Sequence, residues 1–553
     1  MKLVLTAILL FTVFLLAAQN IPNWDAQRSD LARQSALYKD SPSHLIQRGR
    51  DTRDYNVGDT HTFWRWNLSV MPPLWIQTPA TCRAVGEHCY IFVADSEWNV
   101  HMDQADVDTA LARLEDSTIS DPGQGAIEMD ISLFGPIPDE LDNDPRLIVF
   151  YSALGSFQGN YFDGYFSPYN QVTEAEAQQM NPSGHSNECE MIYMTCYPLD
   201  PVAPLRLAVL AHELEHLIHW GQDANEESWI DEGCAELAMV AYGLPDPISG
   251  FNSNPDNSLT AWNQTTADYV KVMLFFTYLE EHYDANNLIR DLVEDPANGL
   301  NSLSQQIPLH FPELDFADIF VNWNLANVLD SPEAGMGLYD YQQLDLPAFA
   351  MTSLNQYPAQ TNQTIQPCAA DYLKYNLGTQ NVHFTLQSNI PITVSCLDFD
   401  LNNVCIGIQD QGTGTFFDLD PQAGNAHHVV YALSNPATGT ASYSYTTTVG
   451  DYDPAIPPPA AREIICYPNP FRAGGDPLRI EVKNATSQTI ARTIEIFDLR
   501  GRLVRSLKPD LPGQPCEWDG RDNQGRFVAS GIYFVRLGNG AQGSSVRRIC
   551  VLD

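Results

Sequence analysis

Basic residues are scarce in this sequence of 553 residues. It contains 29 Lys and Arg against 69 Asp and Glu, so its formal net charge at pH 7 is −40. Nucleic-acid binding depends on Lys and Arg contacts to phosphates, and this composition therefore excludes DNA and RNA as partners. After its first 18 residues the sequence also lacks any apolar run of the about 20 residues that a membrane-spanning helix needs. We expect no transmembrane segment in the mature chain.

The first residues have the pattern of an export signal. Met1-Lys2 precedes an apolar run from Leu3 to Ala18, which is short for a membrane span and typical of a secretory signal peptide over residues 1–18. A retained membrane anchor is the alternative interpretation. The polar segment 19–55 then forms a short propeptide or lead-in. We expect a secreted or cell-surface protein.

A metal-binding pattern lies in the middle of the chain. The segment His212-Glu213-Leu214-Glu215-His216 has the form H-E-x-x-H within an apolar stretch. Residues four apart share one face of a helix, so His212 and His216 can reach the same ion. Glu213 lies beside them, close enough to hold a metal-bound water. The alternative is an ordinary amphipathic core helix that happens to carry two histidines.

A second segment can complete the site, because catalytic zinc takes three protein ligands. It reads Trp229-Ile230-Asp231-Glu232-Gly233-Cys234-Ala235-Glu236, and Glu232 is the predicted third ligand. Ser228 with Asp231 predicts a helix that begins with a capping box. Glu236, one turn beyond Glu232, either hydrogen-bonds a ligating histidine or lies on the helix surface.

These two segments together resemble secreted gluzincins of the hyicolysin type, whose second segment usually reads W-[LI]-N-E-G. Asp231 replaces the usual asparagine and leaves the ligand position intact. The resemblance covers about residues 57–330 and implies a thermolysin-like fold and proteolytic activity. It further implies zinc held by His212, His216 and Glu232, with Glu213 as the general base.

The remaining parts of such a site are less specific in sequence. Tyr269 is the candidate oxyanion donor, because a tyrosine at the start of a comparable helix has this role in gluzincin aminopeptidases. The alternative is that Tyr269 only packs against its neighbours. His185 is a second candidate donor. The β-rich run Glu190–Thr195 is either the sheet edge that receives an extended peptide or an internal strand. No G-x-M-E-N exopeptidase signature occurs, which favours an endopeptidase.

The C-terminal residues form a separate module. Alternating apolar residues with Asp-Gly and Ser-Gly turns predict a small β-sandwich over 463–553, as in Trp518-Asp519-Gly520 and Ser530-Gly531-Ile532. Together with Cys466-Tyr467-Pro468-Asn469-Pro470-Phe471 and Ile494–Val504, this pattern resembles FlgD-like immunoglobulin-type domains and the C-terminal sorting domains of type IX secretion. That resemblance implies the export machinery as a partner. A plain structural cap is the alternative.

The predicted fold class is α+β, with a thermolysin-like zinc metallopeptidase domain followed by two β-sandwich domains. The metallopeptidase domain spans 56–350 and the first β-sandwich 351–450. A Pro-rich linker at 451–462 reads as a semi-rigid spacer before the C-terminal module.

Two further patterns bear on cofactors and cross-links. The acidic run 139–144 is a candidate calcium site or a solvated loop. Eleven cysteines in an exported chain suggest disulfides, and the pairs Cys82–Cys89 and Cys396–Cys405 flank predicted hairpin turns.

The function predicted from these patterns is that of a secreted zinc-dependent endopeptidase acting on protein or peptide substrates. The alternative is a non-catalytic zinc-containing surface adhesin or binding protein. Glu213 favours the enzyme, since a protein that only binds its target has no need of a general base.

Overall fold

The structure is a computed structural model that describes residues 54–552 apart from internal gaps. The gaps are residues 71, 140, 143, 158–159, 355–358, 377–380, 420–425, 451–462, 476, 484–493, 499–501, 509–514 and 538–546. The predicted signal peptide and the predicted linker lie outside the described residues. The same is true of the predicted lead-in, except for its last two residues, 54 and 55.

The described residues form a mixed α/β structure with several sheets and nine α-helices. None of these helices has the length and apolar character that crossing a bilayer requires. The helices are α1 (Gln104–Glu115), α2 (Ala126–Phe134), α3 (Glu174–Met180), α4 (Pro204–Gln222), α5 (Ser228–Tyr242), α6 (Thr266–Tyr283), α7 (Leu288–Glu294), α8 (Leu300–His310) and α9 (Phe316–Leu329).

The strands before residue 200 are β1 (Thr60–Asn67), β2 (Leu74–Val85), β3 (Cys89–Ala94), β4 (Leu147–Ser152), β5 (Ser156–Phe157), β6 (Asn160–Tyr161), β7 (Gly164–Phe166) and β8 (Met191–Thr195). Those of the middle segment are β9 (Thr352–Leu354), β10 (Gln360–Ile365), β11 (Ala369–Asn376), β12 (Asn381–Phe399), β13 (Cys405–Leu419), β14 (His428–Asn435) and β15 (Ala441–Gly450). The last are β16 (Glu463–Tyr467), β17 (Phe471–Arg472), β18 (Leu478–Lys483), β19 (Ile494–Phe497), β20 (Leu503–Leu507), β21 (Cys516–Trp518), β22 (Gly531–Leu537) and β23 (Arg547–Leu552).

The chain divides into two compact units. The first contains the described residues up to Pro247 together with Trp262–Thr277 and Ile289–Ser302. Its six-stranded sheet has the order β1-β2-β3-β4-β8-β7, in which β3, β4 and β8 run parallel and β7 is antiparallel to β8. Every residue of the three parallel strands is buried, as expected for central strands covered on both faces.

The second unit contains Ile248–Ala261, Tyr278–Leu288 and the described residues from Leu303 onward. Strands β9 to β15 form one seven-stranded sheet, in which the long strand β12 pairs with β13, β14 and β15. Strands β16 to β23 form a three-stranded and a five-stranded sheet. These two sheets share one apolar core that includes Ile480, Trp518, Ile496 and Val535.

The two predicted disulfides are wrong. Cys82, Cys89, Cys396 and Cys405 are all free thiols. Strand register explains this, because a cross-strand disulfide needs two cysteines that face each other. Cys82 lies opposite Phe92, and Cys405 lies opposite Phe399 instead of Cys396.

Candidate metal centre

Helix α4 carries both histidines of the H-E-x-x-H segment. The helix begins at Pro204, a favourable residue for the first helical position because its missing N–H has no intrahelical acceptor there. Its buried apolar positions, which include Leu207, Leu210, Leu214, Leu217 and Ile218, recur at the spacing of one helix face. That packing draws the neighbouring turns into the core and buries the histidines with them.

Helix α5 carries Glu232 and packs against α6 through a glycine. A β-carbon added at Gly233 would lie 2.3 Å from Cδ2 of Phe276 in α6, closer than two carbon atoms can approach. Only glycine therefore permits this spacing between α5 and α6. The left-handed residue Gly243 (φ 98°) caps the end of α5.

The predicted capping box of α5 is wrong. Ser228 is the first helical residue, the N-cap position is Glu227, and no side chain caps the helix start. The physical reason lies in the side chain of Asp231, whose Oδ1 is 2.9 Å from Nδ1 of His216. The carboxylate of Asp231, which the sequence spacing assigned to the N-terminus of α5, instead lies within hydrogen-bonding distance of the imidazole of His216.

The three predicted ligands converge on one point. His212 Nε2 lies 3.1 Å from His216 Nε2, and Glu232 Oε2 lies 3.6 Å from the first and 3.7 Å from the second. Ligand atoms of a tetrahedral zinc ion, at about 2.0–2.1 Å from the metal, are separated by about 3.3 Å. The side chains are 2–8% exposed. His212, His216 and Glu232 therefore fit zinc in donor type, spacing and burial.

The outer nitrogens of both histidines face carboxylates. His216 Nδ1 is held by Asp231, and His212 Nδ1 lies 3.5 Å from Oε1 of Glu236. Glu236 is only 2% exposed, so the interpretation as a helix-surface carboxylate is wrong. Carboxylates in these positions orient the imidazoles and raise their basicity toward a metal. The sequence analysis did not predict the contact of Asp231 with His216. The available signal was the aspartate at a position where the resembling gluzincins usually have asparagine.

Negative charge dominates around His212. Burial alone disfavours an imidazolium, but the nearby carboxylate of Glu232 and the charges of Glu236 and Glu213 outweigh it and raise the pKa of His212 to about 10. Such a field favours any cation between these side chains, whether a proton or a metal ion.

Glu213 is fixed by the edge strand of the sheet. Its Oε2 accepts a 2.8 Å hydrogen bond from the backbone N–H of Phe166 in β7, and the side chain is 5% exposed. In the described part of the chain, β7 is the last strand at this end of the sheet, and β8 lies inside between β4 and β7. Of the two interpretations of the run Glu190–Thr195, the internal strand is therefore confirmed. The edge strand Gly164–Phe166 was missed because it is only three residues long.

His219 belongs to a buried ion pair beside the centre. Its Nδ1 lies 3.0 Å from Glu215 Oε1, and both side chains are at most 1% exposed. Burial opposes the charged form of His219, but the carboxylate of Glu215 raises its pKa to about 9. Glu215, His219 and Cys234 also place donor atoms within 4.8 Å of one another, and this ion pair accounts for the cluster. His219 is fully buried in this pair with Glu215 and lies outside the group formed by His212, His216 and Glu232.

The two candidate oxyanion donors have different surroundings. Tyr269 lies in the first turn of α6, with its ring edge-on to Trp262 at a centroid distance of 4.9 Å. The ring of His185 stacks on that of Trp64 with a centroid distance of 3.6 Å, and its Nδ1 lies 2.7 Å from Oε1 of Glu174. These contacts favour a packing role for His185. The role of Tyr269 stays a prediction.

We expect Asp231→Ala to weaken zinc binding by about 10- to 100-fold, the range typical for loss of a hydrogen-bond partner behind a metal ligand. Asp231→Asn keeps an oxygen acceptor for His216 Nδ1 and should stay close to the parent protein. Zinc affinity measured by competition with a chromophoric chelator distinguishes the two variants. Equal affinities for all three proteins would show that Asp231 does not position His216.

Comparison with known proteins identifies the C-terminal segment. Residues 465–552 match the family described as the secretion system C-terminal sorting domain. The chain therefore carries a type IX secretion sorting domain, and the protein is secreted or lies at the cell surface. The sorting domain also implies an interaction with the export machinery.

Other comparisons are less informative. No curated protein matches the chain. Among solved structures, PorZ, a surface component of the type IX secretion system of Porphyromonas gingivalis, is 23% identical over 22% of this chain, with a TM-score of 0.14. The chain spans 15% of that protein. The pre-peptidase C-terminal domain of a Bacillus anthracis collagenase is 10% identical over 19% of this chain and 100% of its own length, with a TM-score of 0.16. At such TM-scores neither likeness supports an argument about fold or activity.

Proposed function

We propose that this protein is a zinc-dependent endopeptidase, exported by type IX secretion, whose first unit is a thermolysin-like domain of the hyicolysin type. The observation that carries the proposal is the convergence of His212, His216 and Glu232 at 3.1–3.7 Å. Two imidazoles and one carboxylate form a ligand set of catalytic zinc sites, which keep their fourth position for water or substrate. Structural zinc sites are closed by a fourth protein ligand, usually with cysteines.

The three predicted ligands and the residues around them have different roles in peptide hydrolysis. Zinc bound there would polarise the scissile carbonyl and lower the pKa of a bound water towards about 7. Glu213 takes the proton from the attacking water and delivers it to the departing amine. The Phe166 N–H keeps the carboxylate of Glu213 oriented for both transfers. Tyr269 is the proposed donor to the oxyanion that develops on the carbonyl.

Strand β7 supplies a docking edge for the substrate. It pairs with β8 through Gly164, Tyr165 and Phe166 and ends the sheet within the described residues. An extended peptide can add to such an edge through main-chain hydrogen bonds, which bind any sequence in the same way. Since the N–H of Phe166 reaches Glu213, a peptide on this edge passes next to the general base.

The proposal is tested by chelation. We expect the exported protein to cleave casein and internally quenched peptides, to lose this activity when a zinc chelator removes the metal, and to regain it on addition of about one equivalent of zinc. Zinc content per chain is measured in parallel. A protein that carries zinc and binds casein without cleaving it would contradict the proposal and favour the binding protein.

A further inference from the structure

The outer face of the sorting domain carries a pair of opposite charges. Glu495 in β19 lies directly opposite Arg536 in β22, and two nitrogens of Arg536 contact Oε2 of Glu495 at 2.7 and 3.1 Å. Successive residues of a strand point to opposite faces of the sheet. The neighbouring residues Ile496 and Val535 belong to the core between the two sheets, so Glu495 and Arg536 point away from that core. On an isolated sandwich this pair would face water.

The pair is nevertheless buried, because residues that precede the sorting domain cover it. The side chains of Glu495 and Arg536 are each 4% exposed. The guanidinium of Arg536 lies 5.7 Å from the ring centroid of Tyr339, within the range of a cation–π contact. Its Nη1 lies 3.4 Å from the hydroxyl of Tyr339, and a β-carbon added at Gly335 would lie 3.3 Å from the same nitrogen. Gly335 and Tyr339 thus form the surface that covers the pair.

Two more exposed contacts join the sorting domain to earlier residues. Nζ of Lys508, directly after β20, lies 3.3 Å from Oε2 of Glu313. The side-chain amide of Gln524 donates a hydrogen bond to Oδ1 of Asn286. All of these contacting residues belong to the second compact unit. The sorting domain therefore contacts earlier parts of its unit at three separate places.

The distribution of charge favours this association. Residues 463–553 contain 13 Lys and Arg against 10 Asp and Glu, whereas the preceding 462 residues contain 16 against 59. The sorting domain therefore has a small positive net charge, and the rest of the chain has a large negative one. Opposite net charges steer two surfaces together and favour their encounter.

We propose that the sorting domain binds reversibly, through its Glu495–Arg536 face, to the surface formed by Gly335 and Tyr339. The domain then exchanges between a bound position, in which this face is covered, and a free position, in which the face is open to another partner. A component of the export machinery that bound the same face would have to displace Tyr339. This inference is independent of whether the protein is a peptidase.

The burial of charge explains why the binding is reversible. Moving an ion pair out of water costs free energy that the attraction within the pair only partly returns, so apolar residues of similar volume often stabilise a structure more. The Glu495–Arg536 pair therefore limits the affinity of this surface. The covalent connection compensates, because a short linker gives an effective concentration of the order of millimolar. A dissociation constant of about 100 µM then suffices to keep the tethered domain mostly bound.

The test uses the full exported protein with a protease site introduced into the predicted linker at 451–462. After cleavage at that site, sedimentation at protein concentrations up to about 100 µM measures whether the two parts stay associated. We expect a dissociation constant of about 100 µM or below for the parent. Arg536→Ala should raise this constant by at least about 30-fold, because it leaves Glu495 buried without its partner.

A double variant separates loss of the interface from failure of the sorting domain to fold. Arg536→Met combined with Glu495→Leu removes both charges and keeps most of the volume of the pair. It should bind at least as tightly as the parent. A double variant that binds as weakly as Arg536→Ala would contradict the proposal, since the ion pair would then not be what limits the affinity.

Arg479→Ala is the matched control, because Arg479 forms a comparable pair on the other sheet of the same domain. Its Nε lies 3.2 Å from Oε1 of Glu481, and these side chains are 47% and 33% exposed. This variant should keep the affinity of the parent. The proposal is overturned if the two parts of the parent do not associate at about 100 µM. It is equally overturned if Arg536→Ala binds like Arg479→Ala, because the Glu495–Arg536 face then makes no part of the contact.

Discussion

Glu213→Gln should lower kcat/KM for peptide hydrolysis by about 100- to 10,000-fold while the zinc content per chain stays unchanged. Positioned general bases contribute about 100- to 10,000-fold, and an amide cannot take the proton of the attacking water. Glutamine has the size of glutamate, and its carbonyl oxygen can still accept the N–H of Phe166. The substitution therefore removes the proton transfer and leaves the structure around His212 and His216 in place. Hydrolysis of a quenched peptide and metal analysis of the same samples give both readouts.

Glu128→Gln is a suitable control because Glu128 is exposed on α2, away from the ligand helices in sequence. It should retain the activity of the parent protein. If Glu213→Gln cleaved peptide at a rate within about tenfold of the parent, Glu213 would not be the general base, and another carboxylate would have to be sought. If the variant lost its zinc as well, the loss of activity would say nothing about proton transfer.

Glu232→Ala should remove both zinc and activity. The substitution deletes one of three protein ligands, so we expect zinc affinity to fall by more than the about 100-fold that follows loss of a partner behind a ligand. Activity at limiting zinc should fall in proportion to the metal lost. A competition titration with a chromophoric chelator gives the affinity, and circular dichroism shows whether α4 and α5 remain folded.

The neighbouring substitution Asp231→Asn is the matched control for Glu232→Ala. It changes a charge one residue away, in the same turn of α5, and leaves all three predicted ligands unchanged. A zinc affinity of Glu232→Ala close to that of Asp231→Asn would contradict the assignment of Glu232. Binding of zinc by His212 and His216 alone would then have to be considered.

Much of the candidate site follows from helix periodicity. His212 and His216 are four residues apart, and this spacing alone predicts that their imidazoles share a face. The prediction of Glu232 as the third ligand needed a second helix a short distance along the chain, and the run Trp229–Glu236 has the pattern of such a helix.

Other features depended on partners distant in sequence. Asp231 could not be assigned to His216 from spacing, because a first-turn aspartate serves a helix N-terminus equally well. The requirement for glycine at 233 arises from Phe276, 43 positions along the chain. The edge strand β7 has three residues, too few for an alternating pattern to be recognised. The disulfide predictions failed because nearness in sequence does not give strand register.

The sequence by itself determined the export route and the donor set of the candidate metal centre, because both depend on residue types at short, fixed spacings. Tertiary structure alone decided which carboxylates face the outer nitrogens of the histidines and which strand forms the sheet edge. The physical reason is that helix geometry fixes neighbours within a few residues, whereas contacts between strands and helices depend on how the whole apolar core packs.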